Sequence, residues 1–345
     1  LNSLSNPEDI KIGFESTAHY ALNLELFLEN AHHSFMEVNP VLIKEYKKST
    51  TLRRTKTDSV DCESIARWLI TVEYKPHSKG FYHAYSLKSL TRLRDRLIRQ
   101  RSFYLVKITN VLDHTFPEFK PFFNERLSKT ALYLLENYGS AEKMARMNSA
   151  SYDKLRCISR GKFSIQQFLR LKELAANTVG VNNSIFDLEL NTLLTLYKSL
   201  SDEINTLETE IIKLIEEVHP HYMSIPGIGP ISAAVIYAEY GDISNFSNPG
   251  QMLAFAGIEP GINDSGTESH GGRMVKHGSS QLRYVLLNAC LPLIRFDLTF
   301  ATYYEKKRAE GKKHRVAITH VAKKLIRVIY ALERQDVDFN AQKLR

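Results

Sequence analysis

Ten apolar residues recur along residues 186–218 at alternating steps of four and three. They are Phe186, Leu190, Leu193, Tyr197, Leu200, Ile204, Leu207, Ile211, Leu214 and Val218. This period places the side chains on one stripe of a helix and is typical of coiled coils. A second long helix, rich in basic residues, is predicted from Leu87 to Val111. The pair serves either as a dimerisation or spacing arm, or packs inside a helical domain.

The segments on either side of these helices differ in character. An apolar strand over 11–15, a helix over 19–30 and a strand over 34–38 give a βαβ rhythm. A basic connector over 44–56 leads to a further helix from Asp58, and residues 113–180 are predicted to be helical. Ten of the sixteen glycines lie between Gly227 and Gly278. We therefore predict three parts, 1–80, 81–222 and 223–345, in a fold that is α+β but mostly α.

Composition limits the class of protein. With 345 residues and 43% apolar residues, the chain is long enough for a buried core in each of several domains. No run of eighteen apolar residues and no secretory signal is present, which argues against a membrane protein. Three widely spaced cysteines form neither a disulfide framework nor a metal knuckle, so we predict a reduced, cytoplasmic location.

Positive charge is concentrated in two segments. Residues 44–107 carry 16 basic and 6 acidic side chains, and residues 266–345 carry 16 and 7, within a net charge of +8. Two basic surfaces favour a polyanion contacted in two places, since each neutralised phosphate releases counterions. The alternative is two ordinary solvated surfaces.

Three carboxylates in the first part form a candidate metal site. Asp58 and Asp61 are three residues apart at a predicted helix start, so they share one face. Glu15 ends the first predicted strand. Two-metal phosphoryl chemistry needs several carboxylates, because they hold two divalent ions close together, and Mg²⁺ prefers oxygen ligands. The alternative is that the aspartates cap the helix or complement its dipole.

The segment 225–242 has the form of a helix-hairpin-helix. Gly227 and Gly229 allow a tight turn whose N–H groups, with the following helix N-terminus, can bind a phosphate. A plain αα-hairpin is the alternative.

A serine on a glycine-flanked loop follows. Ser265 lies in the sequence Asn-Asp-Ser-Gly, where an exposed hydroxyl can attack phosphorus while nearby cations stabilise the developing charge. It can equally be a turn residue, because this sequence is strong turn chemistry. Ser269 is a weaker candidate. His270 and His277 are candidate bases or surface loop residues, and we favour the second interpretation. The candidate DNA-binding cations of this part are Arg273, Lys276, Arg283, Lys312 and Lys313.

A predicted helix over 316–332 follows the last basic cluster. Its apolar residues indicate a packed face, which leaves Lys323, Lys324 and Arg327 pointing outward along a face that can follow phosphates.

Two motif sets resemble one known family. The segments 13–20 and 56–66 resemble the N-terminal DEDD domain of bacterial insertion-sequence transposases related to the Piv DNA invertase. The stretch 225–330, with its segment 255–260, Ser265-Gly266, Lys276-His277-Gly278 and Leu282-Arg283, resembles the C-terminal transposase domain of that family. The resemblance covers nearly the whole chain, and two distant motif sets in the right order are more specific than either alone.

The resemblance implies a RuvC-like, RNase H-type α/β domain, coiled-coil helices and a helical transposase domain. It implies that Glu15, Asp58 and Asp61 hold Mg²⁺ and that Ser265 attacks DNA to form a covalent intermediate, in one composite centre. The implied partners are DNA at the element ends and target, a structured guide RNA in some members, and further copies in a dimer or tetramer.

One departure from the family pattern concerns the first acid, which lies on a strand upstream of Glu15. We expect this chain to be either a truncated copy or a fragment that begins after that strand, since Asp9 is no substitute, and therefore to bind metal poorly and to cleave DNA strands little or not at all. Two other functions stay open: a metal-only nuclease acting on branched DNA, and a catalytically dead remnant that only binds nucleic acid.

Overall fold

The computed structural model describes residues 10–15, 21–50, 57–74, 81–124, 127–265 and 268–344. For residues 81–83, 260–273 and 343–344 it describes the backbone only. The chain divides into two compact units, Leu1–His83 and Ala84–Arg345. The described residues are mostly helical, as the sequence predicted. The boundary predicted near residue 222 stays a prediction.

The N-terminal unit begins with a βαβ arrangement. Its elements are β1 (Ile12–Glu15), α1 (Ala21–Asn30), β2 (Phe35–Val38), α2 (Pro40–Thr50) and α3 (Asp58–Thr71). Strands β1 and β2 pair in parallel, with Ile12 opposite Phe35 and Glu15 opposite Val38. A parallel pair needs a crossover connection, and the segment that contains α1 supplies it. A RuvC-like fold of this unit stays a prediction, because two paired strands do not define that fold.

The prediction of a connector over 44–56 was wrong for its first part, because the chain is helical up to Thr50, the last residue of α2. Ile43 of α2 is buried, and Lys47 and Lys48 are in its last turn, where cations favour a helix C-terminus. Residues 51–56 lie outside the described chain.

The core of this unit is small. It contains Val38, Ile43, Ile65 and Leu69, against which Trp68 and Met36 pack. Gly13 on β1 lies so close to α3 that a Cβ atom there would come within 2.5 Å of a Leu69 methyl carbon. Glycine at this position therefore lets the helix pack directly on the strand.

Two 35-residue helices, α4 (Phe81–Thr115) and α10 (Ser184–Val218), form the long part of the second unit. They run antiparallel: Leu87 shares a core with Ile211 and Ile215, whereas Ile108 and Val111 share another with Leu190. Between these ends, the Arg94 guanidinium binds the Glu208 carboxylate at 2.8 Å. The predicted long helices are confirmed, and the apolar stripe of α10 packs against helices of the same chain.

A helical lobe connects the far ends of α4 and α10. Its helices are α5 (Phe119–Phe122), α6 (Lys129–Tyr138), α7 (Ala141–Ala145), α8 (Ser149–Ile158) and α9 (Ile165–Ala176). The predicted helical content of 113–180 is confirmed. Serine or asparagine side chains cap α6 to α9, which explains why helices this short begin where they do.

The last part surrounds α15, which has nine buried residues. Its elements are α11 (Pro230–Tyr240), α12 (Pro249–Ala256), β3 (Pro260–Ser265), β4 (Glu268–Met274), α13 (Ser280–Phe296), α14 (Leu298–Ala309) and α15 (His314–Gln335). Val321, Leu325 and Ile329 of α15 are fully buried among α11, α12, α13 and α14.

No single helix of the described chain is long and apolar enough to cross a membrane. Helices α13 and α14 taken together are long and apolar enough, by length and composition alone, but the chain bends by 106° between them.

Candidate active site and nucleic-acid interface

Helix α3 begins with its two aspartates free of the capping role. The Thr57 hydroxyl caps the helix by accepting a hydrogen bond from the Val60 N–H at 3.4 Å. Asp58 is the first residue of α3 and is exposed, while Asp61 is half-buried in the first turn. The capping interpretation of the aspartates is therefore not needed, although both still favour the helix dipole.

Asp61 is paired with a lysine that the sequence interpretation did not single out. The Lys47 ammonium of α2 contacts Asp61 Oδ1, and each side chain is 24% exposed. This Oδ1 atom is buried and accepts no hydrogen bond of normal geometry within the described chain. A buried carboxylate oxygen needs a cation or donors, and here a cation supplies the compensation.

The donor chemistry at this place suits a divalent metal only in part. Glu15 ends β1, half-buried, and the aspartates begin α3, which packs on β1. Carboxylate oxygens are the ligands that Mg²⁺ prefers. However, the described residues contain no group of three or more carboxylate, histidine or cysteine side chains arranged to hold a metal ion.

Ser265 is the last residue of a strand, so the expectation of a loop was wrong at this position. Strands β3 and β4 form an antiparallel hairpin in which Ser265 pairs with Glu268, Asp264 with Ser269 and Asn263 with His270. Residues 266 and 267, which connect the two strands in sequence, lie outside the described chain. The side chains of Ser265 and Arg273 also lie outside the description.

The two glycines before α11 have different surroundings. Gly227 has φ +97° and packs on α13, where a Cβ would come within 2.7 Å of Pro292. Gly229 faces open space and precedes Pro230, the first residue of α11. Only Gly229 is therefore placed to let another molecule approach the helix N-terminus. The α10 helix ends before this turn and a 3-10 segment, His221–Ser224, follows, so the helix-hairpin-helix is not confirmed.

Arg283 holds the backbone around the hairpin. Its guanidinium donates a hydrogen bond to the Ala256 carbonyl oxygen at 3.1 Å and a longer one to the Lys276 carbonyl oxygen at 3.5 Å. Lys276 is exposed, with φ +56° in the left-handed region. Arg283 is thus engaged in joining α12 to the segment after β4, whereas Lys276 is available to an external anion.

A basic surface lies at the turn between α14 and α15. Lys312 and Lys313 are exposed there, beside Lys306, Arg308 and Arg315, which are also exposed. Arg308 donates to the Lys312 carbonyl at 2.7 Å, which fixes the turn. The cluster can bind phosphates.

The expectation that Lys323 and Lys324 point outward was wrong in part. Both are half-buried, and the Lys324 ammonium lies 5.2 Å from the ring centres of Phe300 and Tyr303. Burial lowers the pKa of each lysine, and Arg327 lowers that of Lys323 further. Long lysine stems cover apolar surface in this way, so a helical pattern cannot tell which lysines are fully solvated.

Comparison with known proteins identifies the class. Residues 1–117 match a model described as a transposase, the DEDD type of IS110 elements, and residues 220–305 match the model described as "Transposase IS116/IS110/IS902 family". Together these segments cover more than half of the chain, and they contain the candidate carboxylates and Ser265. The chain therefore belongs to the IS116/IS110/IS902 family of transposases.

Several curated relatives share this similarity. The IS110 uncharacterized 43.6 kDa protein of Streptomyces coelicolor is 27% identical over 68% of this chain and 60% of its own length. The IS1111A transposase of Coxiella burnetii is 25% identical over 75% of this chain and 59% of its own. The pilin gene-inverting protein of Moraxella bovis is 27% identical over 41% and 46%. The chain thus matches about three-fifths of the length of the first two.

Proposed function

We propose that this protein cuts and rejoins DNA at the ends of an insertion element and at its target. The observation that carries the proposal is the first turn of α3: Thr57 caps the helix, so neither Asp58 nor Asp61 is used as its cap, and Asp61 is paired with Lys47. Carboxylates that share one helical face are the groups that phosphoryl transfer uses to hold divalent ions.

In this proposal Glu15, Asp58 and Asp61 bind Mg²⁺. The metal, when bound, would polarise a DNA phosphate and stabilise the charge that develops on its oxygens. The carboxylates contribute position: Glu15 is fixed by the β1–β2 pairing, and the aspartates by one helical turn. Family membership supports divalent metal use in general, and the choice of Mg²⁺ rests on the oxygen donors.

Ser265 is the proposed nucleophile. Its hydroxyl oxygen would form a bond to the phosphorus of one phosphodiester, the bond from that phosphorus to a DNA oxygen would break, and the serine proton would pass to solvent or the leaving oxygen. The pairing of the hairpin backbone supports this role, since Ser265 is the last residue of β3 and lies opposite Glu268 at the end of the paired strands.

Nucleic acid would be bound by the exposed cations and by the open helix N-terminus. The proposed contacts are Gly229, Arg273, Lys276, Lys312 and Lys313, with Gly227 and Arg283 shaping the backbone around them. Such binding weakens steeply with salt, because phosphate contacts release counterions. Guidance by a structured RNA, assembly as a dimer or tetramer, and a cytoplasmic location belong to the same proposal.

The decisive experiment compares Ser265→Ala with Ser269→Ala on supercoiled plasmid carrying the element ends, in Mg²⁺. In a version of the protein that carries the first acid of the family pattern, we expect the unsubstituted protein and Ser269→Ala to give a covalent protein–DNA adduct on denaturing gels, and Ser265→Ala to give none. Asp58→Asn should also abolish the adduct while DNA binding persists.

Other outcomes identify the alternatives. Mg²⁺-dependent nicking that survives Ser265→Ala would indicate a metal-only nuclease. Salt-sensitive DNA binding without nicking or adduct in any variant, including the unsubstituted protein, would indicate a binding protein without turnover.

A further inference from the structure

A pocket of about 490 Å³ lies beside α14 in the second unit. One face of α14 lines it, because Thr299, Thr302 and Lys306 recur at steps of three and four along the helix. Lys324 of α15 and Gln342, near the end of the described chain, contribute to the lining from other elements. Lys306 also belongs to the basic surface at the turn between α14 and α15, so the pocket and that surface are continuous.

The Lys324 ammonium has aromatic neighbours in place of hydrogen-bond acceptors. It lies 5.2 Å from the ring centres of both Phe300 and Tyr303, and it forms no hydrogen bond or salt bridge with the described residues. Ring faces interact with the charge of an ammonium but leave its three N–H donors available. Because the side chain is half-buried, solvent reaches these donors only in part. Lys324 is therefore suited to an anion that enters the pocket.

The Thr302 hydroxyl is a second available donor. Thr109, Thr195 and Thr319 each donate a hydrogen bond to the carbonyl oxygen of the residue four positions earlier in their helices. Thr302 of α14 donates no such bond within the described chain. With the exposed Lys306 ammonium, the pocket thus offers several donors, and such a set favours a ligand rich in acceptor oxygens, such as a phosphate group.

Asp297 carries the carboxylate of the pocket lining, and one of its oxygens already has a partner. The side chain is 5% exposed, and its Oδ1 accepts a hydrogen bond from the Phe300 N–H at 2.9 Å, which caps α14. The lining therefore has two ammonium groups and one buried, hydrogen-bonded carboxylate. This balance of charge favours an anion over a cation.

We propose that this pocket binds a phosphate of an unpaired nucleic-acid strand, which Lys324, Lys306 and Thr302 contact. The inference rests on the proposed binding of nucleic acid and adds the state of the strand that this part of the chain prefers. A duplex is stiff along its axis, whereas an unpaired strand bends easily and can turn one phosphate into a pocket. Because Lys324 is half-buried, the strand has to enter the pocket to reach it. The competing account is that Lys324 only covers the two aromatic rings.

The test compares binding of a short single strand and of the duplex of the same sequence to the whole chain. Fluorescence anisotropy at fixed salt measures both, with DNA and RNA versions of each. Lys324→Met removes the ammonium and keeps a side chain of similar length on the aromatic rings. We expect it to weaken single-strand binding about fivefold and duplex binding less than about twofold. Lys323→Met is the matched control, since this half-buried neighbour is not part of the lining, and it should change neither.

Salt dependence gives a readout that a packing role would not change. Loss of one phosphate contact should lower the slope of log K against log salt by about 0.7 for the single strand. Lys312→Met, on the open basic surface, should lower the slope for single strand and duplex alike. Thr302→Val keeps the shape of the side chain and removes the hydroxyl. It should weaken single-strand binding about twofold, and it decides the matter if Lys324→Met does not fold.

The outcomes separate the pocket from the proposed function. If both strands bind but Lys324→Met and Thr302→Val match the unsubstituted chain, the pocket is wrong and the proposed nucleic-acid binding stands. Equal losses for single strand and duplex would contradict the preference for an unpaired strand. If neither strand binds to the unsubstituted chain, the proposed function and the pocket are both wrong.

Discussion

The N-terminal unit and the part of the chain around α15 bury apolar side chains to very different extents. Among described residues, the core of the first contains four buried side chains, whereas the core around α15 contains thirty. A two-stranded sheet is marginal by itself, so the small unit depends on packing of α2 and α3 and on the Lys47–Asp61 pair. The proposed metal ligands therefore lie where local stability is low, as is common for residues that must respond to a ligand.

The largest expected effect comes from the large core. Phe300 of α14 is fully buried, and Phe300→Ala should lower the free energy of unfolding by about 3–5 kcal/mol, through lost burial and the cavity left behind. Leu298→Ala, two residues away, is the control: Leu298 is 75% exposed, so its loss should matter by less than about 0.5 kcal/mol. Guanidinium unfolding measures both, and equal losses would contradict the assigned core.

A core substitution in the small unit should act locally. Leu69→Ala removes a side chain that is 5% exposed and packs on Gly13, and we expect about 2–3 kcal/mol of lost local stability. Hydrogen exchange should speed up in β1 and β2 and stay unchanged in α13 and α15. Ile70→Ala, at a residue that is 78% exposed, should change neither. Faster exchange throughout α15 would show that the two cores unfold together.

The larger unit also contains a charge pair with one buried partner, Arg92 with Glu239. The Arg92 guanidinium binds Glu239 of α11 through two hydrogen bonds of 2.9 and 3.1 Å, and the Glu239 side chain is 2% exposed. Arg92→Met leaves the buried Glu239 carboxylate without its partner, so we expect the free energy of unfolding to fall by about 2 kcal/mol. This value is lower than for a fully buried pair, because Arg92 is 44% exposed and solvent weakens the interaction.

The matched control for that pair is Arg99→Met. Arg99 pairs with Asp95 on the surface of the same helix, where such pairs contribute about 0.3–0.5 kcal/mol. Thermal unfolding of the two variants should differ accordingly, and a loss for Arg92→Met no larger than for Arg99→Met would show that Glu239 finds compensation elsewhere.

Sequence periodicity predicted the long helices and the βαβ order because each depends on residues close together in the chain. The stripe from Phe186 to Val218 defines α10 whatever packs against it. The partner of that stripe could not be read in the same way, since a heptad repeat is satisfied equally by α4 and by a second copy of the chain.

The missed features depend on contacts across the fold. Lys47 was interpreted as part of a basic connector because its partner, Asp61, lies fourteen positions later on another helix. Likewise, β3, which ends at Ser265, and β4 contain glycine and polar residues without the alternation of a half-buried strand. The sequence therefore favoured a turn at Ser265 over a strand paired with β4. The half-burial of Lys324 by Phe300 and Tyr303 is also invisible in the helical pattern.

The smallest expected effect concerns pH, at the junction where the chain end folds back on the large unit. His221 contacts Asp338 at 3.0 Å and Asp336 at 2.9 Å, and these hydrogen bonds raise its pKa, with nearby Glu333 contributing. The folded state therefore favours protonated His221. Its contribution is fully present below pH of about 6.5, the unfolded value, and is lost as pH rises through the raised folded pKa.

We expect this contribution to be under about 1 kcal/mol, because the pair is partly solvated. Measured as Tm against pH, His221→Gln should be less stable than the starting chain at pH 6 and should converge with it at high pH. His277→Gln, at an exposed histidine, should run parallel to the starting chain. A constant offset for His221→Gln across the whole range would mean that the residue stabilises the junction by packing and not by charge.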